Sequence, residues 1–239
     1  MLSKHTKVLN VVCIKLVMKK LLTLLFFWGL ALNANAALYS FTLLENDNGV
    51  PDLSDQLSLD ISESGTGSAL FTFYNDVDSG IDSSISSIFF EETSPTLFAS
   101  FSIYDETHPD VDFKVKNGNG DLPGGNNIEF SSEDAYTKQG SNGYGIDNSG
   151  ESLTIEGLFS DGFQFSDLES ALGLALLNDY DNPETFRVGI HVTSINCDGC
   201  GDASQSYYAP SPVPLPAAVW LFGSAILGFV GFSRFKKKA

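Results

Sequence analysis

Cys197 and Cys200, separated by Asp198 and Gly199, combine residue types and a spacing that can do chemistry. A Cys-x-x-Cys pair serves thiol exchange, zinc ligation or a short disulfide. Thiol oxidoreductases place the pair at a helix start inside a βαβ pattern, and the residues around Cys197 have no such pattern. Zinc needs further ligands, and between residues 37 and 209 the only histidines are His108 and His191. The simplest chemistry is a disulfide that closes a very small loop in an oxidising compartment. His191 alternates with Val188, Ile190 and Val192 and reads as a solvated or cross-strand polar residue, while His108, before Pro109, reads as a turn.

Asp76, Asp78 and Asp82 alternate around Gly80 in a way that can wrap calcium. The stretch lacks the later bidentate Glu of an EF-hand loop, since position 12 counted from Asp76 is Ser87. It fits a solvated turn better than a metal site, so no metal or other cofactor is assigned beyond this weak calcium candidate. Glycoside hydrolysis needs two carboxylates at a set separation, and thirty acidic residues allow any pair to be proposed. No Gly-x-Ser-x-Gly elbow is present. The glycine-rich stretch 118–126 lacks a following Gly-Lys-Ser/Thr and contains Pro123, so it reads as a wide inter-strand turn and not as a phosphate cradle.

Elements that must position these residues read as strands. Period-two alternation recurs over Ala37–Leu44, Leu57–Ile61, Ala69–Phe73, Ile85–Phe90, Leu97–Ile103, Val111–Val115, Ile128–Phe130, Leu153–Leu158 and Phe186–Ile195, broken by Gly, Asn, Asp, Ser and Pro clusters. Nine short, Phe-rich strands predict an all-β, jelly-roll-like β-sandwich, because each half-apolar sheet must bury one face. One short helix is expected from the capping box Ser166-Asp167-Leu168-Glu169, leading into Leu172 and Leu176 with Asn178 as its stop.

The charge balance is lopsided. All thirty acidic residues lie between Ala37 and Ala209, against four basic ones, Lys114, Lys116, Lys138 and Arg187, a net charge of −26. Such a segment repels nucleic acid and anionic lipid and favours cations or neutral polymers. At about 173 residues, 37–209 suits one domain with a sizeable core.

Both ends carry targeting signals. Lys19 and Lys20, the apolar run Leu21–Leu32 and Ala34-Asn35-Ala36 form a secretory signal peptide over 1–36, a substrate for the Sec export machinery. Its start reads better at Met18 than at Met1, and cleavage between Ala36 and Ala37 makes Ala37 the first mature residue. At the other end, 210–239 holds Val213, Pro214, Leu215, Pro216 and Ala217, then an uncharged apolar run to Phe232, then Arg234, Lys236, Lys237 and Lys238. A helix over 215–233 would reach about 27 Å and just span a bilayer core. The basic cluster would stay cytoplasmic, which puts the acidic domain outside.

That order of parts resembles the PEP-CTERM sorting signal of Gram-negative bacteria, in its Val-Pro-Leu-Pro-Ala variant. Trp220, Leu221, Phe222, Gly223 and Ser224 follow the motif as they often do there. The resemblance implies a partner, an exosortase, which is a membrane-embedded cysteine transpeptidase that processes the tail near the motif. It also implies passage through the inner membrane to the cell surface or extracellular matrix. Two further stretches, Gly118–Asn126 and Arg187–Val192, resemble a glycine-rich loop and a strand of ectodomains that carry this tail. Where those tend to have a run of Gly, this chain has Cys197-Asp198-Gly199-Cys200. The expected role is non-catalytic, structural or adhesive, in an exopolysaccharide or biofilm setting. A calcium-assisted carbohydrate binder and a secreted polysaccharide hydrolase stand as alternatives.

Overall fold

In a computed structural model of the chain, the described residues are 36–44, 49–65, 67–92, 96–116, 121–132, 134–140, 144–176, 185–200 and 203–211. Ten strands and one α-helix account for most of them: β1 (Ala36–Leu43), β2 (Leu57–Ser64), β3 (Ser68–Asn75), β4 (Ser84–Glu92), β5 (Phe98–Glu106), β6 (Phe113–Val115), β7 (Asp134–Lys138), β8 (Ser152–Phe159), helix α1 (Phe165–Leu176), β9 (Phe186–Ile195) and β10 (Ala203–Ser211).

The strands form a single sheet in the order β5-β8-β3-β2-β1-β10-β9-β4-β7-β6. Two separate sheets were expected, and one continuous sheet that nearly closes on itself is found. Its end strands, β5 and β6, are joined by only residues 107–112, so the sheet has to curl until its ends meet. The Phe113 amide of β6 donates to Glu106 Oε1 of β5 at 2.8 Å, and this bond bridges the seam.

Curling brings the apolar faces of distant strands together around a cluster of phenylalanines. Phe71 of β3 lies 5.3 Å from Phe90 of β4, 5.7 Å from Phe98 of β5 and 5.6 Å from Phe186 of β9, centroid to centroid. Phe90 stacks on Phe101 at 4.3 Å. Gly157 makes room beneath this cluster, since a Cβ there would fall 2.7 Å from the Phe98 ring and 2.9 Å from the Phe101 ring. The alternation read from the sequence has its physical reason here: Leu57, Leu59 and Ile61, Phe71 and Phe73, and Val188, Ile190 and Val192 all reach this one core.

Two expectations need correction, and two further strands had not been expected. Ile128–Phe130 is not a strand; a 3-10 turn over Gly125–Ile128 takes its place, because the segment lies across the sheet and not in it. Strand β7 went unread because Ala135 and Tyr136, neighbours of opposite orientation, are both buried and erase the alternation. Strand β10 went unread because it is rich in Ser and Tyr and contains Pro210; that proline falls beside a register slip between Ser40 and Thr42 of β1. Helix α1 begins at Phe165, ahead of the anticipated cap at Ser166. The carboxylate that reaches back is Asp167, whose Oδ2 accepts from the Gln164 amide at 2.9 Å, so the closing acid sits two residues earlier than Glu169. Leu168 and Leu172 of α1 enter the main core.

Among the described residues no helix is long and apolar enough to cross a membrane, and the tail segment 215–233 and signal segment 1–35 lie outside them.

Burial of Tyr136, reinforced by the nearby Asp134 carboxylate, pushes its phenol pKa up to about 12 from an ordinary value of 10.0. Tyr207 is raised in the same sense, chiefly by burial. Below pH 10 both phenols are protonated in folded and unfolded chains, so their contribution is intact. Above that, the unfolded chain releases protons that the fold retains, and stability falls as pH rises toward the folded pKa. Denaturant midpoints measured from about pH 8 to about pH 11 should drop in the alkaline arm, and Tyr136→Phe should flatten part of that drop. An unchanged alkaline arm in the variant would contradict the assignment.

Candidate functional site

Among the described residues Arg187, on β9, is the one basic residue that is buried, at 2% exposed. A guanidinium cannot be left there unpaired. The β4–β9 register sets Glu91 directly opposite it, and Arg187 grips that carboxylate with both Nε and Nη2, the latter at 2.8 Å. Its remaining donors point at backbone: Nη1 donates to the Ile128 carbonyl at 2.9 Å and Nη2 to that of Glu129 at 3.1 Å. Glu91 Oε1 accepts from the Ser131 amide at 2.7 Å, and the guanidinium lies over the Phe130 ring, 5.2 Å from its centroid.

Apart from Glu91 of β4, each of those partners belongs to segment 121–132, which overlaps the end of the glycine-rich stretch. The segment covers the outer surface of β4, β9 and β7 and makes a second small core from Leu122 and Phe130 against Phe89 and Ala135. Gly189 permits the close approach: a Cβ there would meet Leu122 Cδ2 at 2.8 Å and Phe130 Cζ at 3.1 Å. The two stretches singled out in the sequence, 118–126 and 187–192, are therefore parts of one assembly. What was read as a wide turn acts as a clamp, with residues 117–120 outside the described set. Glu91 was missed, because an acid closing Ile88-Phe89-Phe90 resembles a solvent-facing strand end. The available signal was the lone Arg187 among apolar neighbours, which requires a buried acid.

Other candidate residues are held apart. Cys197 and Cys200 are joined in a disulfide in the β9–β10 connection, closed by the Cys200 amide donating to the Cys197 carbonyl at 3.1 Å. The Asp76 carboxylate accepts from Ser79 Oγ at 2.5 Å and from Ser149 Oγ at 2.7 Å, bonds that hold its pKa below the ordinary carboxylate value. Asp78 offers its amide to Ser149 Oγ at 2.9 Å, and Asp82 lies 3.4 Å from Asn196 Nδ2. These contacts tie one turn to the 147–151 turn; among the described residues no group of three or more His, Cys, Asp or Glu is placed to hold a metal ion. His108 is exposed, with Nδ1 3.4 Å from Asp110 and 3.6 Å from Glu151. His191 sits half-buried between Ser87 and Ser206 on the neighbouring strands, its pKa lowered by burial and then by Lys116. Ala36 and Ala37 open β1, and Val213–Ala217 and Arg234–Lys238 lie outside the described residues.

Several carboxylates share one job, accepting amide protons across chain breaks in the sheet. Glu92 accepts from Phe98, Glu106 from Phe113, Glu91 from Ser131, and Glu151 from Asp147 and Asn148. The arrangement is a scaffold in which acids staple loops to strands. The chain matches no family model, no curated protein and no solved structure.

Removing one member of the buried pair strands the other. Arg187→Met should cost about 3–5 kcal/mol in denaturant unfolding, and adding Glu91→Leu should recover a substantial part. A single variant within about 0.5 kcal/mol of the parent would show that the pair is not what holds this segment.

Proposed function

We propose that the chain is a non-catalytic exported protein, structural or adhesive in an exopolysaccharide matrix, sorted by an exosortase acting at Val213–Ala217. The observation that carries this reading is the way the folded domain fits between the two processing signals. The compact unit that holds all of the sheet but the first residue of β1 begins at Ala37, the residue after the proposed leader cut. The last strand ends at Ser211, two residues before Val213, and Ser211 pairs with Ser40 of β1. The leader cut would take only Ala36 from the start of β1 and the motif follows the end of β10, so both cuts leave the pairing of Ser40–Leu43 with β10 in place.

We read the domain as a jelly-roll-like sandwich. β1 pairs with β10, β3 with β8, β4 with β7, and β5 meets β6 at the seam, the nested order of a long hairpin wound on itself. In place of calcium, Asp76 holds serine hydroxyls, so a calcium-assisted mode has no support from that turn. The charge of −26 suits a domain that stays soluble outside the cell and does not adhere to nucleic acid or anionic lipid.

Pro214 and Pro216 lack amide donors and keep the residues before them extended, the conformation a processing enzyme can bind. Changing both to Ala leaves the apolar run intact. The double variant should remain inserted but uncleaved in the inner membrane, while the parent is released in a strain with the exosortase and retained in one without it. Fractionation with an epitope before Ser211 reads both outcomes. A full-length parent in the inner membrane of both strains would make the tail a plain anchor.

A further inference from the structure

The two halves of the curled sheet differ in what lies on their outer surfaces. The β9-β4-β7 half is covered by segment 121–132. On the β5-β8-β3-β2 half three large outward side chains are open, Tyr74 at 37% exposed, Tyr104 at 59% and Leu158 at 49%, while the smaller Ser152 and Thr154 of β8 are buried between their neighbours. Alternation with the core residues Phe71 and Phe73 turns Thr72 and Tyr74 outward on β3, and alternation with Phe101 and Ile103 turns Tyr104 outward on β5.

Register places the two tyrosines on one platform. Tyr74 stands opposite Ser152 of β8, while Tyr104 occupies the bulge between Ile103, opposite Ile155, and Asp105, opposite Thr154. Two strand spacings and about two residues along β8 separate them, which puts their backbone positions about 12 Å apart. Between them run Thr72 and Thr154, whose hydroxyls are 3.0 Å apart, with Asp60 beyond Thr72 on β2. Burial raises the pKa of Asp60, and Tyr74 is raised by burial and then by the Asp60 charge, as expected of groups packed side by side.

We infer that this face binds an uncharged polysaccharide, with pyranose rings laid on Tyr104 and Tyr74 and sugar hydroxyls bonded to Asp60, Thr72 and Asp105. A pyranose has an apolar face of C–H bonds that packs on an aromatic ring and a rim of hydroxyls that seek acceptors. The face supplies both, at a spacing that a short run of linked sugars covers. Charge decides the polymer class. Strands β2, β3, β5 and β8 contain no Lys or Arg, and all four bases of the domain, Lys114, Lys116, Lys138 and Arg187, belong to the other half or follow β6. A polyanion would meet carboxylates with no counter-charge. The inference deepens the reading of the domain as a matrix component and does not depend on how the tail is processed.

The test is affinity electrophoresis of the full-length chain in mild detergent, with laminarin, galactomannan or hydroxyethyl cellulose in the gel, and alginate and chitosan as charged comparisons. At least one uncharged polymer should retard the parent. Tyr74→Ala with Tyr104→Ala should weaken that retardation at least tenfold, Tyr→Phe at both positions should preserve most of it, and circular dichroism should show every variant folded at the temperature of the gel. No retardation by any uncharged polymer would overturn the inference. So would retardation unaffected by the double Ala variant, or binding to chitosan alone that salt abolishes. Concentration-dependent dimerisation lost in the same variant would assign the face to a second copy of the chain. Because no step reads localisation, failure here leaves the sorting proposal standing, and failure of sorting leaves this result readable.

Discussion

A charged pair that cannot reach water holds the covered half of this domain together. Two ions taken from solvent cost several kcal/mol each unless every donor and lone pair finds a partner. At the Glu91–Arg187 rung the guanidinium meets that condition by bonding to two carbonyls of segment 121–132 as well as to the carboxylate, and the carboxylate takes the Ser131 amide in addition. The cover segment is therefore part of the pair's coordination. Detaching it would expose Phe89 and Phe130 and leave the guanidinium with unfilled donors inside the protein.

From that constraint follows the contrast between the two outer surfaces. Strand β4 is buried on both faces, which is why its polar residues are mostly small serines and a paired Glu91, and why Gly189, beside it on β9, must be small. On the far side β2 and β3 alternate core residues with less buried ones, and Tyr74, Tyr104 and Leu158 stand open on β3, β5 and β8. The acidic side chains divide in the same way, some closing loops as amide acceptors and others, such as Asp60 and Asp105, lying along the uncovered platform with its two tyrosines.

Much of the fold was legible because alternation was real wherever one face of a strand met solvent. Leu57–Ile61 and Ala69–Phe73 are such cases. Legibility failed where a third layer lay over the sheet. Ala135 and Tyr136 are both buried and show no period, and Ile128–Phe130 looks like a strand because it is apolar, yet its apolar residues face the sheet from above. Closure of ten strands into one sheet was out of reach of any pattern, since its seam is bridged by a side chain, Glu106, and a backbone amide seven residues away in the chain. As for candidate sites, residue types near Cys197, Asp76 and His191 suggested chemistry, whereas the geometry gives them neighbours that serve structure. Glu91 carried no signal of its own, and only its partner's isolation marked it.

Amide hydrogen exchange at Ser131 tests the clamp most directly, because that amide's only described acceptor is the Glu91 carboxylate. The account predicts slow exchange at Ser131 and Phe130 in the native chain, and fast exchange across 121–132 in Arg187→Met, while amides of β3 and β8 such as Thr72 and Ile155 stay protected in both. Rapid exchange at Ser131 in the native chain, or protection of 121–132 that survives the substitution unchanged, would contradict it.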